Sequence, residues 1–267
     1  MRGQTLIDVL FGDSLNYNWN WGIFFELEPG ASGTYLHYLF GGLIWTLITA
    51  ISAWVLALLI GVLIGTLRTV GHKGIERICI AYTELFRNVP LLVQMFLWYF
   101  VLPELLSQGL GNAVKAMPPP WGSLVPAVLC LGTFMSVRVA EQVRSGIQSL
   151  PRGQQMAGLA LGLTRKQTYR YVLLPMVFRI ILPPLSSEFL NTIKNSSLAL
   201  TIGLMELTAR ARAMQEFSFQ VFEAFAAATL IYLVVNLLVV LAIRKLERHI
   251  AVPGFIAGHS NPTSAGH

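Results

Sequence analysis

Arg138 is the side chain in this sequence best placed to do chemistry. It follows the apolar run Leu124–Val137 and precedes Glu141 and Gln142 by one helical turn. A charge near the centre of an apolar span costs at least about 2.5–3.5 kcal/mol, so it is either paired or put to use. A guanidinium offers a planar fork of donors that matches a carboxylate. Two readings stand side by side. In one, Arg138 holds an anionic ligand in that fork. In the other, it pairs with Glu141 on its own helix or reaches the interface along its aliphatic stem. A second polar set lies further along the chain. Glu188, Thr192 and Asn195 stand at i, i+4 and i+7, with Ser187, Asn191 and Lys194 on the next stripe. Both stripes fall on one side of a helix. They line a ligand path, or the serines, threonines and asparagines only join helices. Lys194 either neutralises a second carboxylate or pairs with Glu188. The candidate ligand residues are therefore Arg138, Glu188, Asn191, Lys194 and Asn195. Arg87 and Glu84, just before Pro90, are expected to be structural or to brace a neighbouring loop.

The elements that must hold these residues are apolar. Only 12% of the 267 residues are charged, against about 25% in a soluble domain, and 54% are hydrophobic. Such a chain belongs in lipid. A spanning helix needs about 20 apolar residues. Five candidates fit: Leu39–Leu67, Leu91–Leu106, Leu124–Val143, Val172 to about Leu200, and Val221–Ile243. Pro183-Pro184 interrupts the fourth and is expected to bend or break it, since proline donates no backbone hydrogen bond. Lysine and arginine mark the cytoplasmic loops. Arg68, Lys73, Arg77 and Arg87 lie in one connection, Arg144, Arg152, Arg165, Lys166 and Arg170 in another, and Arg244, Lys245 and Arg248 in the tail. Only Arg2, Lys115, Arg210 and Arg212 fall on the opposite side. The expectation is an all-α polytopic membrane protein with five transmembrane helices, a periplasmic N-terminus and a cytoplasmic C-terminus.

The domain plan follows. Residues 1–38 form an outer segment whose Trp19, Trp21, Phe24 and Phe25 suit the membrane interface. Residues 39–248 form the spanning domain, and residues 249–267 a weakly ordered tail. The N-terminus lacks the basic start and short apolar core of a cleaved signal. The net charge of +6 sits in loops between spans, without the aromatic–basic interleaving of a nucleic-acid platform. Cys79 and Cys130 lie in apolar stretches and the histidines are scattered, so no metal ligand set is expected.

The cytoplasmic loop at about 145–170 is unusually well organised. Pro151 suits the start of a helix and Gly162 its end. Between them lie the small residues Ala157, Gly158 and Ala160. This short helix either docks into a groove on another protein or anchors the loop at the interface. The run "SLPRGQQMAGLALGLTRKQTYRYVLLP" resembles the signature loop of permease subunits of binding-protein-dependent ABC importers. That signature is Glu-Ala-Ala, three residues, Gly, and later Ile-x-Leu-Pro. Gly162 matches the glycine, and Val172, Leu174 and Pro175 the later part. Met156-Ala157-Gly158 stands where Glu-Ala-Ala is usual, keeping only the central alanine. "ELFRNVPLLVQ" and "IKNSSLALTIG" are similar to the polar-amino-acid branch, in order and over most of the chain, with the glutamate/aspartate type nearest.

The resemblance implies a type I importer permease fold in a bacterial inner membrane, with alternating access driven by a separate ATPase dimer. It implies a coupling helix that contacts that ATPase through Gly153, Met156, Ala157, Gly158, Leu161 and Gly162. It further implies a second identical or homologous permease chain and a periplasmic substrate-binding protein. ATP and magnesium belong to the partner: Gly, four residues, Gly-Lys-Ser/Thr does not occur here. This chain is then a transport subunit, not an enzyme. An ion-coupled secondary transporter is the alternative. It needs no docking loop, often has an inverted repeat, and would lose uptake when ion gradients are dissipated.

Overall fold

The computed structural model describes residues 17–29 and 33–250. Arg2, Asp13, Asn16 and the tail 251–267, including His259 and His267, lie outside the described residues. Among the described residues a 3-10 helix, Trp21–Phe25, precedes nine longer helices. They are α1 (Tyr35–Leu67), α2 (Lys73–Asn88), α3 (Leu91–Leu105), α4 (Gln108–Lys115), α5 (Trp121–Ser149), α6 (Arg152–Ala160), α7 (Arg165–Ile202), α8 (Leu207–Ser218) and α9 (Val221–Ile250). Helix α3 contains a π-helical stretch, Leu97–Val101, and α7 contains another, Tyr169–Leu173. The last turns of α7, Ser196–Ile202, tighten to a 3-10 helix.

Four helices are long and apolar enough to cross a bilayer: α1, α5, α7 and α9. The pair α2 and α3 passes the same test together, but its two halves meet at 101° across Val89 and Pro90. Among the described residues the candidate spans therefore number four, or five if the bent pair is one crossing. Sequence reading starts the second span at Leu91 and treats the stretch before it as a loop. Instead that stretch is an amphipathic helix, with Cys79 and Thr83 buried on its inner face. Gln94 fastens the bend. Its Nε2 donates to the carbonyls of Phe86 and Val89, each at 2.8 Å. These are end carbonyls that no amide of α2 reaches.

The expected break at Pro183-Pro184 does not occur. Helix α7 runs through both prolines without interruption. Its inner face, Val177, Ile181 and Leu185, is buried against α5, and that packing holds the helix across the two missing donors.

Helix α5 is the centre of the bundle and α9 its rim. Buried residues make up 67% of the apolar window of α5 and 11% of that of α9. The main seam joins α1 to α5. On α1, Thr49, Ala53, Ala57, Gly61 and Gly65 recur every fourth residue, and all are buried. Small residues at this spacing let two backbones approach closely. A Cβ on Gly61 would lie 2.5 Å from Val139 Cβ and 2.7 Å from the Ser136 carbonyl. A Cβ on Gly65 would lie 2.6 Å from the Ala140 carbonyl.

A second core joins α8 to α1 and α9 through Leu207, Ala211, Met214, Leu39 and Ala224. At its head Glu206 is fully buried. It accepts from the amides of Thr208 (3.0 Å) and Ala209 (2.8 Å) and from the hydroxyls of Tyr232 (3.0 Å) and Thr46 (3.3 Å). Arg210 donates to the Tyr38 carbonyl at 2.7 Å, with its guanidinium 4.6 Å from the Tyr38 ring centroid. The chain before α1 is tied to α9. The Tyr17 hydroxyl donates to Glu223, and the Asn20 amide donates to the same carboxylate at 2.8 Å. Trp19, Tyr17 and Phe222 pack edge-to-face and tilted around that contact.

Candidate functional site

Between Cys130 and Ala140 helix α5 turns only one residue fully outward. Phe134 is half-buried, the other neighbours are buried, and Arg138 is exposed. Arg138 lies 17 residues into a 29-residue helix. At 1.5 Å per residue that is about 26 Å along a rod of about 43 Å, about three-fifths of the way from its start. The guanidinium does not reach Glu141. Its Nη1 lies 3.6 Å from Glu188 Oε1 on α7, an ion pair rather than a hydrogen bond. The Phe134 ring centroid lies 6.0 Å from the guanidinium carbon. The pairing of Arg138 with Glu141, the second of the two readings, gives way to a contact between helices. Glu141 is taken by two other cations, Arg68 and Arg144.

Glu188 is oriented by its own helix. Asn191 Nδ2 donates to its carboxylate at 3.4 Å, and Thr192 donates to its backbone carbonyl at 2.8 Å. The two polar stripes of α7 do not act alike. Thr192 is buried in the core, while Ser187 and Lys194 are exposed. Lys194 enters no ion pair with Glu188 among the described residues, and it stands about 9 Å further along the axis. Asn195 is half-buried nearly two turns beyond Glu188. Arg138, Glu188 and Asn191 are thus brought together, and Lys194 and Asn195 extend away along the same helix.

A cavity of about 260 Å³ opens at this point. Arg87, Phe134, Arg138, Glu141, Gln142 and Glu188 line it. Sequence reasoning gave Arg87 only a bracing role. It does make an i, i+3 bridge to Glu84 at 2.8 Å, yet it also reaches the cavity wall from the last turn of α2. Its place before Asn88-Val89-Pro90 was the one available signal. The cavity therefore holds two guanidiniums and two carboxylates, a lining suited to a small zwitterion.

The short helix α6 begins after Pro151 and ends at Ala160, with Gly162 left-handed at φ +81°. Glycine adopts that conformation without strain. Gly153, Met156, Ala157, Leu161 and Gly162 are exposed, with Met156 at 66% and Leu161 at 83%. Gly158 faces the other way. A Cβ there would meet Thr168 Cγ2 at 2.9 Å, so Gly158 seats α6 on the start of α7. That start is fixed by a capping box between Thr164 and Gln167.

Comparison with known proteins places this arrangement. Residues 57–252 match the family described as "Binding-protein-dependent transport system inner membrane component". The "Glutamate/aspartate import permease protein GltJ" of Escherichia coli (strain K12) is 45% identical over 245 residues, covering 91% of this chain and all of that protein. The "Glutamine transport system permease protein GlnP" of the same strain is 32% identical, over 73% of this chain and 84% of the relative. Among solved structures, "Crystal structure of an amino acid ABC transporter with histidines" superposes with a TM-score of 0.67 at 31% identity, over 80% of this chain and 95% of that one. The inward-facing MetNI methionine ABC transporter shares the fold at a TM-score of 0.62 and 17% identity, over 81% and 96% of the two chains. The chain belongs to the binding-protein-dependent transport system inner membrane components, a family of transport permeases whose ATPase is a separate subunit.

Proposed function

We propose that this chain is the permease of an ABC importer for glutamate and aspartate, and that Arg138 is its anion-binding residue. The observation that carries the reading is the exposed guanidinium of Arg138 on α5, ion-paired with Glu188 of α7 at 3.6 Å in the lining of a small cavity. Forked hydrogen bonds from Arg138 hold the side-chain carboxylate of the substrate. Glu188, steadied by Asn191, takes the ammonium. Lys194 and Asn195 lie further along α7, where a second carboxylate passes. The relative with 45% identity is a glutamate/aspartate permease by name, which supports the same substrate class.

The excess of Lys and Arg at the α6 end puts that end in the cytoplasm and α8 on the outer side. A periplasmic binding protein delivers the amino acid to the outer face. An ATPase dimer engages α6 through Gly153, Met156, Ala157, Leu161 and Gly162, with Gly158 supporting the helix from behind. ATP binding opens the cavity outward and hydrolysis resets it. The exposed face of α5 around Arg138 meets a second permease chain, identical or homologous, which completes the pathway.

The test is uptake of labelled glutamate, aspartate and glutamine by the complex reconstituted with its ATPase. Charge-assisted hydrogen bonds contribute about 1.5–3 kcal/mol, which is roughly 10–150-fold in an equilibrium. Arg138→Ala is expected to lose acidic amino-acid uptake by that factor, and Arg138→Lys to keep part of it. Wild-type glutamate and aspartate uptake by Arg138→Ala would remove the anion-site assignment.

A further inference from the structure

We propose that Tyr169, Thr69, Arg68 and Glu141 form a mechanical relay from the root of α6 to the wall of the Arg138 cavity. Two cavities flank this chain of contacts. One is the Arg138 cavity, of which Glu141 forms part of the wall. The other, about 540 Å³, lies between the ends of α1 and α5, helix α6 and the start of α7. Arg68, Thr69, Gln148, Pro151, Gln155 and Tyr169 line it. The residues between the two cavities are bonded in series.

The series begins at Tyr169, which opens the π-helical stretch of α7 nine residues after the end of α6. Its hydroxyl donates to the Thr69 carbonyl at 3.0 Å and lies 3.2 Å from Thr69 Oγ1. Thr69 Oγ1 in turn donates to the Thr66 carbonyl at 2.7 Å. These contacts tie the loop root to the end of α1 across 100 residues of sequence. Arg68, the next residue back, caps α1 and pairs with Glu141 on α5. Glu141 also accepts from Arg144 at 3.1 Å, and Arg144 donates to Gln148 at 3.2 Å. Glu141 sits one helical turn from Arg138 on the same helix.

The two ends of the series differ in strength. The Arg68 side chain is only 12% exposed, and stranding a charge with so little solvent is costly. Arg68 and Glu141 therefore move together. At Tyr169 one phenol proton makes the join, which yields readily. A π-helical stretch has an α-helical alternative that differs by one residue of register. Resetting Tyr169–Leu173 to α would swing Tyr169 off Thr69. That supplies the two-state element a transmission claim requires. Tyr169 is on this account a positioning residue, acting on the cavity through Thr69, Arg68 and Glu141.

The experiment uses the full complex with its ATPase in proteoliposomes and reads amino acid transported per ATP hydrolysed. Tyr169→Phe removes the hydroxyl and keeps the ring. Its ratio is expected to fall about fivefold, the worth of one ordinary hydrogen bond, with basal hydrolysis and substrate affinity unchanged. A wild-type ratio overturns the relay. So does a parallel fall of uptake and hydrolysis at constant ratio, which marks a merely structural tyrosine. Combining Tyr169→Phe with Glu141→Gln is expected to be no worse than the more severe single variant, and additive losses overturn the relay. Thr69→Val replaces Glu141→Gln in that cycle if the latter does not assemble. The ratio is read with whichever amino acid is carried, so a failure of the acidic-substrate reading leaves this test intact.

Discussion

Substituting alanine for Gly61 probes the seam on which the whole site rests. The added methyl would sit 2.5 Å from Val139 Cβ and 2.7 Å from the Ser136 carbonyl. Ordinary carbon contacts lie at about 3.5–4.0 Å, so α1 and α5 must part by about 1 Å. Neither obstacle is the free end of a flexible side chain. Rotation cannot relieve it, and the whole stripe from Thr49 to Gly65 moves with Gly61. Overpacking of this kind costs about 1–3 kcal/mol. Alanine recovers at most about 1 kcal/mol of helix propensity. Gly109→Ala is the reference substitution without a clash, because nothing lies within 4 Å of a Cβ at Gly109. The difference between the two variants isolates the overpacking at about 2 kcal/mol. The assay is the thermal unfolding midpoint of the purified complex in detergent, both variants beside wild type. Gly61→Ala should unfold several degrees below Gly109→Ala. It should also lose uptake, because Val139 adjoins Arg138 and any shift of α5 there moves the guanidinium. A Gly61→Ala midpoint equal to or above that of Gly109→Ala would refute the close-packed seam.

Two further outcomes are expected. Gln94→Leu strips the carbonyls of Phe86 and Val89 of their donor, at about 1–3 kcal/mol for a buried polar group left unpaired; protease accessibility at the α2–α3 bend should rise while α5 stays protected. Burial holds the Glu206 carboxyl above the ordinary carboxylate range, against four donors that pull it the other way. A raised folded-state value means that the folded chain keeps this proton at higher pH than the unfolded chain. The linked stability is present at acid pH and is lost as pH rises through the folded-state value. The unfolding midpoint should therefore fall as pH rises through the folded-state value, and Glu206→Gln should remove that component.

What the sequence made legible was whatever a single helix carries within itself. The apolar runs of α1 and α9 exceed the length of a span, and Pro151 and Gly162 frame α6 by backbone preference alone. The polar residues of α7 were also visible, though not their division, since periodicity cannot say which stripe a neighbouring helix will cover. Thr192 went into the core and Lys194 stayed out. Arg138 stands out by its isolation in an apolar run, but spacing along one helix cannot show that Glu188 of another helix lies beside it. Arg68 was counted as a loop charge, and only the folded chain shows it bound to Glu141. Prolines misled in both directions. Pro183-Pro184 sits inside a helix held by its neighbours, while Pro90 marks a 101° turn whose first arm looked like a loop.

The contact of Tyr17 and Asn20 with Glu223 has a consequence for biosynthesis. Some of the first described residues to leave the ribosome find their partner on α9, the last described helix, about 200 residues later. Arg210 and Glu206 close onto Tyr38 and Thr46 of α1 in the same late fashion. The first turns of α1 therefore wait, incompletely fastened, until α8 and α9 have been inserted. Completion of α9 buckles the chain, and a nascent protein arrested before it would present an open α1 to the quality-control machinery of the membrane.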